Sequence, residues 1–206
     1  MANPIYLDHN ASTPIDPAVL ETVIRISRDA YANPSSIEHN QGAAAGKVVE
    51  DARSQIAEFV NCRASEILFT SGSTEANNLA ILGSYPELKK TGRTHCITSL
   101  IEHPSILACF DHLEEKGARV TRLGVDENGQ ILLDELSDAL CSQTGLVSIM
   151  AANNETGVLQ PISEAAHLAE AAGALFHTDY SQATAYMPLD LNGTPIHMAS
   201  FSGHKA

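Results

Sequence analysis

The sequence has no apolar run approaching the roughly 20 residues that a membrane-spanning helix requires. Its longest such stretch, residues 145–152, is far shorter, so no spanning helix is expected. Positive charge is scarce: 12 Lys and Arg stand against 25 Asp and Glu, a net charge of −13. The basic residues are scattered and form no stripe, which argues against a surface that grips a nucleic-acid backbone. Cys62, Cys96, Cys109 and Cys141 have no CxxC spacing, so a thiol metal or redox motif is absent. Each is expected to be a small buried residue in a reducing compartment. No pair among the nine His residues has an HExxH spacing, and no metal site is expected. Met1-Ala2-Asn3-Pro4 lacks the basic and apolar regions of a secretory signal, and the expected location is the cytoplasm. Repeats and low-complexity segments are missing too.

What remains is a globular composition. Of 206 residues, 44% are apolar and 18% charged, enough for one sizeable core and a little more. Helical periodicity covers residues 16–31, with Pro17 suited to a first turn. It returns over 41–61, where Val48, Val49, Ala52, Ile56 and Phe59 form an apolar stripe. A short strand is expected at 66–70, then a turn at 71–74 into a helix through 82. Strands at 95–99, 119–124, 146–151, 174–178 and 196–201 alternate with helices at 104–116, 134–141 and 161–172. Residues 126–129 read as a turn, and Gly173 is placed to end a helix. Strands alternating with helices predict an α/β fold, a mostly parallel sheet covered by helices on both faces.

In such sheets ligands bind outside the carboxyl ends of the strands. The unusual polar residues fall at those ends: Ser71-Gly72-Ser73-Thr74, Glu102-His103, Asn153-Asn154-Glu155, Asp179 with Gln182, and Ser202-Gly203-His204-Lys205. The first cluster has the glycine, hydroxyls and helix start of a phosphate site, although the same residues also suit an ordinary helix N-cap. Asp179 follows an apolar strand, where a carboxylate needs a partner such as a protonated ring nitrogen; a helix cap is the alternative. His103 has the chemistry to stack on a flat ring and move protons, or is simply a satisfied histidine. Lys205, between Ser202-Gly203-His204 and the last residue, is poorly explained as a solvated charge. An amine there can form a Schiff base with an aldehyde.

Taken in order, these residues resemble a known family. Tyr6-Leu7-Asp8-His9-Asn10-Ala11-Ser12-Thr13-Pro14, Asn33-Pro34-Ser35-Ser36, Phe69-Thr70-Ser71-Gly72-Ser73-Thr74-Glu75-Ala76, Glu102-His103, Asn153-Asn154-Glu155-Thr156-Gly157, His177-Thr178-Asp179 with Gln182, and Ser200-Phe201-Ser202-Gly203-His204-Lys205 are similar to the cysteine desulfurases. These are fold-type-I enzymes of the class V aminotransferase group that use pyridoxal 5'-phosphate (PLP). The resemblance implies that Lys205 is the covalent anchor of the cofactor and the catalytic base, with His103 as a second catalytic group stacked on the ring. It implies that Asp179 pairs with the pyridine nitrogen and that Gln182 donates to the ring hydroxyl oxygen. Ser73, Thr74, Ser202 and His204 would hold the phosphate, and Asn154 would contact the substrate or the ring hydroxyl side.

The same resemblance implies residues 1–15 as a segment of a small domain and 16–206 as a PLP-binding large domain, incomplete at its C-terminal end. The implied reaction converts L-cysteine to L-alanine. Sulfur passes to an enzyme cysteine as a persulfide and then to an acceptor protein, an iron–sulfur scaffold or a tRNA-thiolation protein. A homodimer is implied for the full-length form. The family continues for about as long again beyond the lysine, with the persulfide cysteine, a carboxylate-gripping arginine and a hydroxyl residue that reaches the partner's phosphate. None of the four cysteines matches the catalytic loop. The strand at 66–70 is therefore expected to lack a neighbour, and this polypeptide alone to be marginally stable. His9 and Tyr180 depart from the family pattern; Tyr180 is expected to fill space. Two alternatives stay open: a selenocysteine lyase or related lyase, and a non-catalytic, truncated partner-binding chain.

Overall fold

The structure, a computed structural model, describes residues 5–205. Residues 1–4 of the expected small-domain segment, and Ala206, lie outside the described residues. The chain divides into two compact units, Met1–Phe69 and Thr70–Ala206.

The first unit is helical. Helix α1, Pro17–Asp29, begins with Pro17 in its first turn, and the Asp16 carboxylate caps it by accepting from the Ala18 amide at 2.8 Å. Helix α2, Asn40–Phe59, is capped by the His39 imidazole, which accepts from the Gly42 amide at 3.0 Å. Gly42 is required there, because a Cβ would collide with the Ser36 carbonyl. The expected stripe on α2 is only partly right. Val48, Val49 and Ala52 are half-buried, but Ile56 and Phe59 are exposed, and the buried positions are Gly42, Ala45 and Ala57.

The expected strand at 66–70 does not form. Ala64–Glu66 is a 3₁₀ turn, and Ile67 is extended (φ −85°, ψ 126°). No strand pairs with this segment among the described residues. Leu68 is 68% exposed. The β propensity of Ile67, Leu68 and Phe69 is real, but a strand is defined by a ladder and none is available.

The second unit is the α/β body. Its elements are α3 Ser73–Lys90, β1 His95–Ser99, α4 Pro104–Glu115, β2 Arg119–Leu123, α5 Leu133–Ala139, β3 Thr144–Ser148, α6 Ile162–Ala171, β4 Leu175–Asp179 and β5 Met198–Ser200. Helix α3 runs eight residues past the expected end at 82, through Pro86. The strands form one sheet in the order β2-β1-β3-β4-β5, and every pair is parallel. Strand β3 is assigned only to Ser148, but its continuation stays bonded to β4: Ile149 and Ala151 donate to the His177 and Asp179 carbonyls.

Burial follows the pleat. Cys96 and Leu146 face one layer, where they pack with Ile81, Tyr85, Ile106, Phe110 and Leu113 of α3 and α4. Ile97, Val147 and Phe176 alternate to the other face and are also fully buried; α6 packs on β4 and α5 on β2 there. Because all strands run the same way, their carboxyl ends share one edge. The chain steps from β1 out to β2 and then back to β3 on the opposite side of β1, so a topological switch point lies between β1 and β3.

Candidate cofactor site

The residues that follow β1, β3, β4 and β5 meet at this edge, and the start of α3 joins them. Asn77, one turn into α3, donates from Nδ2 to Asp179 Oδ2 at 2.9 Å and to Ser105 Oγ at 3.1 Å. The helix start is thereby tied to the end of β4 and the start of α4.

Gly72 is the N-cap of α3 with φ 155°, a conformation that favours glycine, and no side chain caps the helix. This corrects the alternative of a Ser or Thr cap: Ser73 and Thr74 are the first two helical residues. Glu75 does serve the backbone, with Oε2 accepting from the Ser71 amide at 2.6 Å. The first-turn N–H groups have no acceptor within the helix and carry the positive end of its dipole. An anion is the natural occupant of such a position.

Asp179 ends β4 and is 6% exposed. Oδ1 accepts from the Ser181 amide at 3.0 Å; the alternative of a helix cap does not hold, because turns and no helix follow Asp179. The other oxygen, Oδ2, faces Asn77. Gln182 is half-buried in the turn-rich segment that follows. Tyr180 is 1% exposed, and its hydroxyl donates to the Met187 and Pro188 carbonyls at 3.1 and 3.2 Å. It fills space, and its hydroxyl also holds the loop, a role not expected from sequence.

His103 is the N-cap of α4. Its Nδ1 accepts from the Ser105 amide at 3.1 Å and lies 2.8 Å from Ser105 Oγ. The plain reading, a histidine satisfied by its surroundings, therefore accounts for Nδ1 and leaves Nε2 for other work. Beside it, Glu102 is 4% exposed. Oε1 accepts from Ser99 Oγ at 2.8 Å and from the Met150 amide at 2.9 Å, which straps the loop after β1 to the end of β3. Oε2 is buried without a protein partner. Burial pushes the Glu102 carboxyl up to about 8, and the Asp179 charge adds to the shift, against bonds from Met150 and Ser99. Burial thus favours the neutral form of Glu102.

Asn153 shapes the loop after β3. Its Nδ2 donates to the Ile101 carbonyl at 3.0 Å, and its Oδ1 accepts from the amides of Glu155 and Thr156 at 3.0 and 2.9 Å. Asn154 is half-buried and donates to Glu155 Oε1 at 2.8 Å. After β5, Ser202 Oγ lies 3.1 Å from His204 Nδ1, and the Lys205 amide donates to the Ser202 carbonyl at 3.1 Å, forming the turn Gly203–Lys205. A buried row braces this strand: His177 Nδ1 is 2.9 Å from Ser148 Oγ, and Nε2 is 3.0 Å from Ser200 Oγ. Burial lowers His177 to about 4, against the pull of the Asp179 charge, so the ring is neutral.

The structure thus carries the expected clusters to one sheet edge. Asn77, Ser105 and Glu102 were not assigned roles from sequence. The cysteines differ from expectation, because Cys96 and Cys109 are buried but Cys62 and Cys141 are only half-buried; all four are free thiols.

The donor set fits PLP. A buried carboxylate suits a protonated ring nitrogen, an uncapped helix start with neighbouring hydroxyls suits a phosphate, and a lysine amine follows the adjacent strand. The arrangement is that of a fold-type-I PLP enzyme. The aminotransferase class-V profile matches residues 5–206, and the chain belongs to that family, whose cofactor is PLP. It is 43% identical over 202 residues to cysteine desulfurase IscS of Rickettsia bellii, covering 98% of this chain and 49% of that one. It is 44% identical to a protein of Dictyostelium discoideum named "Probable cysteine desulfurase, mitochondrial", covering 98% of this chain and 45% of that one. The solved structure of "SspA in complex with cysteine" superposes with a TM-score of 0.91 at 38% identity, over 97% of this chain and 57% of that chain. The chain spans about half the length of the curated relatives it matches.

Proposed function

We propose that this chain is the cofactor-bearing part of a PLP-dependent cysteine desulfurase. The observation that carries the reading is the buried Asp179 carboxylate at the end of β4, beside the strand that leads to Lys205. When bound, PLP supplies an electron sink that stabilises negative charge at the substrate Cα.

The chain's own residues supply the rest. Asp179 would hold a proton on the ring nitrogen. Lys205 Nζ would anchor the cofactor and take the Cα proton from the substrate. His103 would stack on the ring and use Nε2 to relay protons. Gln182 would donate to the ring hydroxyl oxygen, and Asn154 would orient the substrate or the same side of the ring. Ser73, Thr74, Ser202 and His204 would hold the phosphate. The substrate is L-cysteine and the products are L-alanine and sulfur, carried as a persulfide on a cysteine outside these residues. The solved relative in complex with cysteine supports that substrate class.

The reading extends to the rest of the protein. We propose residues 1–15 as part of a small domain completed elsewhere, a homodimer, a cytoplasmic location, and a sulfur-acceptor partner of the iron–sulfur scaffold or tRNA-thiolation kind. The full-length protein, loaded with PLP and given L-cysteine and a thiol reductant, should release alanine and sulfide in equal amounts, and Lys205→Ala should release neither. Activity on selenocysteine alone, or none on either amino acid, would overturn the desulfurase reading.

A further inference from the structure

Asn77 is completely buried, at 0% exposure. Both Nδ2 protons are in use, one on Asp179 Oδ2 and one on Ser105 Oγ, at 2.9 and 3.1 Å. The carboxylate fixes the orientation of the amide, since the flipped form would set an oxygen against Asp179. That orientation leaves Oδ1 buried with no protein partner, which is unfavourable. An apolar side chain of the same shape would avoid that penalty, so the asparagine gains through what its nitrogen holds.

It holds two site groups from different elements. The Ser181 amide directs one oxygen of Asp179, and Asn77 directs the other. Ser105, the second recipient, faces His103 with both its amide and its hydroxyl. Nδ1 accepts from the amide and so carries no proton. The Ser105 hydroxyl accepts from Asn77 and is free to aim its own hydrogen at Nδ1. By this geometry the ring proton sits on Nε2, the nitrogen not used in capping α4.

We propose that Asn77 is a positioning residue for the cofactor site: through Asp179 it sets the carboxylate that meets the ring nitrogen, and through Ser105 it keeps His103 in register with it. The proposal rests on the PLP reading of the site. Asn77 itself touches no reacting atom.

The test uses the full-length protein and PLP as the probe. Asn77→Leu should weaken PLP binding about tenfold to a hundredfold, the range of one hydrogen bond to a charged group. The same change in an Asp179→Asn background should weaken it by only about twofold or less, because the group it acts through is already altered. Equal losses in both backgrounds, or no loss in either, would overturn the proposal. Asn77→Gln, which keeps the amide, should bind more tightly than Asn77→Leu. A second measurement needs no cofactor. The Asn77 side-chain amide protons should exchange slowly with solvent by NMR and should shift on Asp179→Asn; exchange as fast as in an exposed amide would refute the bridge. Failure of the unsubstituted protein to bind PLP would sink the cofactor reading, and the NMR result would still decide the bridge.

Discussion

Replacing Glu102 by Gln should make the protein more stable in alkali and change little in acid. Glu102 is buried, and its carboxyl is raised from 4.5 to about 8. A carboxyl whose folded value lies above its unfolded one binds more protons when folded between those two values. Stability therefore falls as pH rises through that window, and the loss is complete above about 8. The full window corresponds to roughly 5 kcal/mol, of which about 3 kcal/mol falls between pH 6 and pH 9. Glutamine keeps an oxygen to accept from Ser99 and Met150 but does not titrate. In urea unfolding of the cofactor-free protein, the Glu102→Gln midpoint should stay nearly level from pH 6 to pH 9 while that of the unsubstituted protein falls. Parallel curves for the two proteins would refute the argument that burial holds this carboxyl neutral.

The buried histidines give the opposite slope. His177 falls from 6.5 to about 4 through burial, and His95 likewise, with the Arg119 charge adding to burial. Their contribution is present above 6.5 and fades as pH drops towards 4, about 3 kcal/mol for His177; His177→Gln should flatten that acid limb, and an unchanged limb in the same unfolding assay would contradict it. Among the cysteines, Cys141 is lowered by the Thr144 hydroxyl bond, with the Gln143 backbone and Arg119 assisting against burial, whereas burial drives Cys96 up to about 12. Iodoacetamide at pH 7 should label Cys141 first by mass spectrometry, and earlier labelling of Cys62, Cys96 or Cys109 would count against this ranking.

Much of this was legible in the sequence because it is local. Strand β1 falls on the expected residues 95–99, where a fully buried run sits between polar turns. The clusters after the strands were legible because a parallel sheet places every strand's carboxyl end at one edge. Four things were not. Residues 66–70 have strand-like composition but no ladder to join, and pairing is a non-local property. Helix α3 continues past Gly83 and Pro86, residues that usually weaken or end helices, because Ile81 and Tyr85 anchor it in the core. Asn77 looks like any polar residue in a helix, since its partners lie 28 and 102 residues away in the chain. Glu102 was visible beside His103, but its raised carboxyl depends on burial that only packing creates.

The central claim is that Lys205 anchors PLP at the edge formed by β1, β3, β4 and β5. Borohydride reduction of the PLP-treated protein, followed by peptide mapping, tests it most directly. One phosphopyridoxyl adduct at Lys205, lost in Lys205→Ala, is the expected result. An adduct on Lys47, Lys89, Lys90 or Lys116 in its place, or one that persists in Lys205→Ala, would contradict it.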